Sequence, residues 1–171
     1  MAEERPVLVA TEADDITADM VITELNRRDV PVVRFDLADI GEALTVSARF
    51  GTCPAPVVGQ VRTPSRTAEI TRVRAVYWRR PEGPTFPHRS VDDSRFAAAQ
   101  VRYGRGGILY ALSGPLWVNH PQRVAAADYK PAQLVLARQL GFTIPPTLVT
   151  NDPQEAREFV RAQGRSVFKT L

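Results

Sequence analysis

One cysteine, Cys53, is all the thiol that this chain of 171 residues carries, so a disulfide within the chain is excluded. Such sparse use suits a reducing compartment, and next to Pro54 in a loop the residue reads as incidental. Equally absent is any apolar stretch approaching the roughly 20 residues that a membrane-spanning helix needs. The N-terminus, Met1 to Arg5, is polar and acidic ahead of the first apolar run, which does not fit a secretory signal. A cytoplasmic protein with no membrane partner is the expectation. Strong charge of one sign is missing too: 22 basic residues stand against 19 acidic ones, for a formal charge of +3. No basic run of the kind that follows a phosphate backbone occurs. The arginine-rich stretch Arg62, Arg66, Arg72, Arg74, Arg79, Arg80 reads as outer-face strand residues, and no nucleic-acid partner is expected.

What is present is the composition of a folded protein, 44% hydrophobic and 24% charged, with fourteen prolines to stiffen its loops. The length allows one domain with a proper core and the start of another. Val7 to Ala10 is a short, unbroken apolar run, as in a strand buried on both faces of a parallel sheet. Thr11, Asp14 and Asp15 then offer capping oxygens to a helix whose buried face is Ala18, Val21, Ile22 and Leu25. Pro31 to Asp36 reads as a second buried strand, which completes a β-α-β unit. Leu44, Val46, Ala48 and Phe50 alternate with polar residues, as do parts of Val57 to Ile70. That alternation predicts an antiparallel meander with one wet face.

Ala75 to Trp78 returns to a buried strand, followed by a proline-rich loop from Pro81 to Ser90. Between Val91 and Leu112 a helical face of Ala97, Val101, Gly104, Ile108 and Leu112 is expected. Gly104, Gly106 and Gly107 interrupt it at about 1 kcal/mol each relative to alanine, and close helix packing is the expected reason. A phosphate cradle there is the other reading, without either the dinucleotide fingerprint or the P-loop spacing to support it. Leu116 to Asn119 reads as one more buried strand, and His120 after it as a strand-end cap or an acid-base group. A domain boundary is placed near Asp128. Beyond it come a helix opened by Pro131 with the face Ala132, Val135, Leu136, Gln139 and Leu140, a linker and short strand from Ile144 to Thr150, and a helix capped at Asp152. Ser166 to Lys169 starts a strand with nothing after it to pair with, so the second unit reads as incomplete.

The order Asn119, Lys130, Gly141-Phe142-Thr143-Ile144-Pro145-Pro146-Thr147, a capped helix and Val167-Phe168-Lys169 is similar to the opening of an ATP-grasp fold. In the first half, Thr11-Glu12-Ala13-Asp14-Asp15, Arg34-Phe35-Asp36, Tyr77-Trp78-Arg79-Arg80-Pro81 and Trp117-Val118-Asn119-His120-Pro121 resemble the pre-ATP-grasp domain of microviridin-type (graspetide) peptide maturases, in particular the actinobacterial branch. The resemblance implies an α/β protein: a Rossmann-like domain over residues 1–127, then the start of an ATP-grasp domain over 128–171. It also implies an enzyme dependent on ATP and magnesium that phosphorylates Asp or Glu side chains of a ribosomal precursor peptide. A Ser, Thr or Lys of that peptide then attacks, which closes an ester or amide link.

Lys130 and Lys169 fall where the family's phosphate-contacting lysines lie, and positioned cations suit the charge that phosphoryl transfer gathers. Recognition of a leader-core peptide and a homodimeric state are implied likewise. Magnesium ligands and the catalytic groups are expected beyond Leu171, so the chain is expected to be inactive alone. Arg79 and Arg80 sit at the carboxyl end of a predicted strand, where α/β sheets place ligands. Either could clamp the carboxylate of the peptide, or serve as a strand-end salt bridge; at most one can enter a given cleft. Two other functions fit the same residues: a non-catalytic module that binds a leader peptide or partner, and a nucleotide-binding regulator that uses Gly104 to Gly107.

Overall fold

The computed structural model describes residues 5–51 and 56–169; Cys53 and the stretch 1–4 lie outside them. The chain divides into two compact units, Met1–His120 and Pro121–Leu171. The division precedes the boundary expected near Asp128 by the length of one short helix.

In the first unit, β1 (Val7–Ala10), α1 (Ile16–Arg27) and β2 (Val32–Phe35) form the expected β-α-β unit, with β1 and β2 parallel in the register Val7 to Val32. β6 (Ala75–Trp78) pairs in parallel on the other side of β1, and β7 (Leu116–Val118) in parallel beyond β6. The order of this four-stranded sheet is β2-β1-β6-β7. A second sheet is the expected antiparallel meander of β3 (Thr45–Phe50), β4 (Val57–Arg62) and β5 (Thr67–Glu69).

Because successive strand side chains point to opposite faces, β1 serves two cores at once. Val7 and Val9 pack with Val32, Ala18, Ile22 and Leu25 under α1. Leu8 and Ala10 face the other way, into a larger cluster with Phe35, Leu44, Val46, Val61, Ile70 and Val76. The meander is thus a lid on the face of the parallel sheet that α1 does not cover.

The long helix expected between Val91 and Leu112 is α2 (Val91–Gln100), a five-residue π turn (Val101–Arg105) and α3 (Gly106–Tyr110). The glycines do interrupt it, but not for packing: a Cβ added at Gly104, Gly106 or Gly107 would meet nothing within 4 Å. Their backbone is helical, so no phosphate-cradling loop forms there either. The wider turn brings Leu109, absent from the expected face, fully into the core beside Leu112.

Three expected strands need correction. β7 lies at the sheet edge rather than buried, with Leu116 67% exposed. Ile144 to Thr150 and Ser166 to Lys169 form no strand, because no described residue offers them a ladder of backbone hydrogen bonds. In the second unit α4 (Pro121–Ala127), α5 (Lys130–Gln139) and α6 (Pro153–Gln163) form as helices. The predicted apolar face of α5 stays open, with Val135, Leu136 and Leu140 all exposed. Val167 and Phe168 are 85% and 88% exposed. No helix among the described residues is long and apolar enough to cross a membrane.

Gly59 in β4 sits opposite Ala48 of β3. A Cβ here would overlap the Ser47 carbonyl oxygen and lie 2.7 Å from the Ala48 Cα, both backbone atoms with little room to yield. Gly59→Ala should therefore destabilise the protein by about 1 to 3 kcal/mol, as overpacking does. A melting temperature within a degree of the parent's would refute this close approach.

Candidate functional site

In open α/β sheets ligands gather outside the carboxyl ends of the strands, where the order reverses. Here that point lies between β1 and β6, since the chain leaves β1 for β2 on one side and later adds β6 on the other. The strands run on into backbone hydrogen bonds there. The Thr11 amide donates to the Phe35 carbonyl at 3.0 Å, and the Arg79 amide to the Ala10 carbonyl at 2.8 Å. Thr11, Asp15 and Arg79 are thereby drawn to one place.

Asp15 is the hub. It caps α1, its Oδ1 accepting from the amides of Thr17 at 3.0 Å and Ala18 at 3.1 Å. The Thr11 hydroxyl donates to Oδ2 at 2.8 Å. Arg79 Nε completes the set, 2.8 Å from Oδ2 and 3.1 Å from Oδ1. Only 4% of the Asp15 side chain is exposed, against 31% for Arg79. Burial pushes the carboxyl's pKa up, but the Ala18 amide, the Thr11 hydroxyl and Arg79 outweigh it and hold it at about 2. A carboxylate so saturated with donors is a fixed anchor and a poor proton acceptor. The sequence identified Asp15 as a cap, but not as the partner of Arg79. The two are 64 positions apart, and only the β1-β6 pairing joins them.

Of the two arginines weighed from the sequence, Arg79 is the one turned inward, and the salt bridge is formed. Arg80 is exposed and holds a left-handed backbone, with φ of 46°. Next to them, a hollow of about 540 Å³ opens at the carboxyl ends of β1 and β2. Glu12, Asp14, Asp36, Asp39 and Glu82 line it together with Arg34. Arg34 is already committed to Asp19 at 2.6 Å and to the carbonyls of Glu12 and Ala13 at 3.0 and 2.5 Å. Burial raises the pKa of Asp36 despite the amides of Ala38 and Glu82, and the charges of Asp39 and Glu82 add to the rise. Five carboxyl groups against one engaged guanidinium make this hollow unfavourable for an anion.

His120 packs on Trp117, with ring centres 4.7 Å apart, and on Tyr110 at 5.7 Å. Trp78 joins the same aromatic cluster, 6.2 Å from Tyr110 and 6.5 Å from Trp117. Lys130 and Lys169 both belong to the second unit. Lys130 is the first residue of α5, ahead of Pro131, and is exposed; Lys169 is exposed in the irregular stretch after α6. Neither forms an ion pair with a described residue. Lys130 also stands at a helix N-terminus, whose free amides favour anions, so the two positions fit phosphate oxygens chemically. Magnesium does not find such a fit: among the described residues no group of three or more His, Cys, Asp or Glu is placed to hold a metal ion.

Comparison of the fold with solved structures is decisive. A RiPP-associated ATP-grasp ligase of Chryseobacterium gregarium, in complex with ADP and a leader and core peptide, matches 92% of this chain at a TM-score of 0.81 and 23% identity. The chain has the fold of the N-terminal part of these ligases. The macrocyclase MdnC of Microcystis aeruginosa MRC, bound with precursor peptide MdnA, matches at 0.81 and 25% identity, over 92% of this chain. The ATP-grasp ligase PsnB, complexed with a phosphomimetic minimal precursor, Mg and ADP, matches at 0.70 and 25% identity over 94%. The chain spans about half the length of these ligases: 48% of the first, 51% of MdnC and 52% of PsnB. No family model and no curated protein matches the sequence.

The Asp15 anchor makes a pH-dependent contribution. Its folded pKa of about 2 lies below the ordinary aspartate value of 3.8, so the folded state binds a proton less readily than the unfolded one. The stability it adds is complete above about pH 4 and is lost as pH falls towards 2. Asp15→Asn should lower the melting temperature by several degrees at pH 7 and flatten its fall between pH 4 and pH 2. Parallel melting curves for both proteins across that range would remove Asp15 from this role.

Proposed function

We propose that this chain is the front part of an ATP-dependent carboxylate ligase acting on a ribosomal precursor peptide. Residues 1–127 would precede the ATP-grasp domain, and residues 128–171 would open it. The observation that supports this reading is the shared fold with ligases solved together with nucleotide and precursor peptide. In the proposed reaction, a side-chain carboxylate oxygen of the peptide attacks the terminal phosphorus of ATP and ADP leaves. A hydroxyl or amine of the same peptide then attacks the acyl carbon. Phosphate departs, the nucleophile's proton goes to solvent, and an ester or amide link remains.

The part given to this chain is to bind and orient. Lys130 and Lys169 would neutralise phosphate oxygens as compact point charges. Arg79, held by Asp15, keeps the carboxyl ends of β1 and β6 together beneath the peptide. With the acidic hollow beside it, the exposed Arg80 is the better placed of the two arginines to meet a substrate carboxylate. Magnesium would be held by residues other than those described.

Two measurements test the proposal. The protein that contains this chain, incubated with ATP, magnesium and the small peptide encoded beside its gene, should lower the peptide's mass by one water per link. Unchanged mass, with the peptide nevertheless bound in the absence of ATP, would favour a binding module over an enzyme. Lys130→Ala and Lys169→Ala should each weaken ATP binding by about tenfold or more, a charge-assisted contact being worth roughly 1.5 to 3 kcal/mol, with folding intact. Wild-type nucleotide affinity in both variants would sink the phosphate assignment.

A further inference from the structure

The helix from α2 through the π turn leaves an outer stripe that nothing in this chain covers. Phe96 is 68% exposed and Tyr103 74%, seven residues apart and so on the same side. Ala99 lies between them on that side, a small residue flanked by two large rings. Charge along the stripe is polarised. Asp92 and Asp93 occupy the first turn, while Arg102 and Arg105 stand in the π turn. Asp92 and Arg102 lie about 15 Å apart along the axis, too far to meet within one helix. The nearer Arg95 reaches Asp92 only at 3.7 Å, across two almost fully exposed side chains, and such a pair holds little. Arg102 lies over the neighbouring Tyr103 ring at 5.8 Å from its centre.

We propose that this stripe is a self-association surface, on which a second copy of the chain docks its own helix antiparallel across a two-fold axis. The axis would pass near Ala98. Phe96 of each copy then packs over Ala99 of the other, where the small side chain lets the helices come within about 8 to 10 Å. Asp92 of each copy faces Arg102 of the other, so one two-fold contact makes two complementary ion pairs. A two-fold interface uses the same patch on both partners, and a helix acidic at one end and basic at the other is complementary to itself only when antiparallel. A peptide of uniform charge would meet repulsion at one end of the stripe, which disfavours it as occupant. The contact is small by the standard of stable interfaces, so the dimer should be weak, with micromolar dissociation. Nothing in this inference depends on the ligase reading.

Sedimentation velocity of the whole chain, from low micromolar to a few hundred micromolar, provides the test. The parent chain should shift from monomer to dimer over that range. Arg102→Asp sets like charges against each other at both ends of the contact, as does Asp92→Arg. Each variant alone should dimerise at least about tenfold more weakly. Mixed in equal amounts, the two variants should recover the parent affinity as a heterodimer, because both pairs are then complementary. That recovery also shows that both variants fold. A parent chain monomeric throughout, a dimer indifferent to Arg102→Asp, or a mixture that fails to associate would each overturn the proposal.

Discussion

The buried carboxylate of Asp15 ties together more of this molecule than any other single group. It fixes the first turn of α1, receives the hydroxyl of Thr11 at the end of β1, and neutralises Arg79 at the end of β6. Three segments far apart in sequence are thus pinned at the point where the parallel sheet changes direction. Burying one charge of such a pair without the other would cost several kcal/mol, so both residues must be present for either to be tolerated. The consequence for function is geometric. The backbone leaving β6 starts from a fixed point, and Arg80 is presented from a rigid edge rather than from a wandering loop.

Charge is sorted by place. At the carboxyl ends of β1 and β2 the surface is acidic, lined by Glu12, Asp14, Asp36, Asp39 and Glu82. The lysines that suit phosphate stand in the other unit, one at the start of α5 and one beyond α6. A protein that handles both a nucleotide and a peptide benefits from such sorting, since an acidic wall turns polyphosphate away from where it is not wanted. The sheet architecture itself matches ligases that do bind both.

Local pattern revealed much of the first unit. Unbroken apolar runs at Val7 to Ala10 and Ala75 to Trp78 marked strands covered on both faces, and alternation from Leu44 onward marked the meander; both are properties of short stretches. The π turn was not legible, because its trace in sequence is only a run of glycines with several meanings. Nor was the Asp15 to Arg79 pair, which needs the strand order before the residues can be matched. The second unit was read least well. Ile144 to Thr150 and Ser166 to Lys169 carry strand-forming residues, yet a strand exists only where a neighbour completes its hydrogen bonds. Apolar spacing likewise called for a buried face on α5, and burial requires something to lie against it. Helix starts fared better, since the Asp152 cap with Pro153 after it is a purely local device.

The π turn over Val101–Arg105 has a consequence for how this segment can vary. A wider turn is what one surplus residue leaves inside an otherwise regular helix. Removing a residue there would restore an unbroken α-helix, but each position shifted in a helix rotates all later side chains by about 100°. Leu109 and Leu112 would swing out of the core and Tyr110 would leave its aromatic neighbours. Length is therefore locked between Val101 and Leu112, whereas the proline-rich stretch before Ser90 is free to lengthen or shorten among homologous chains.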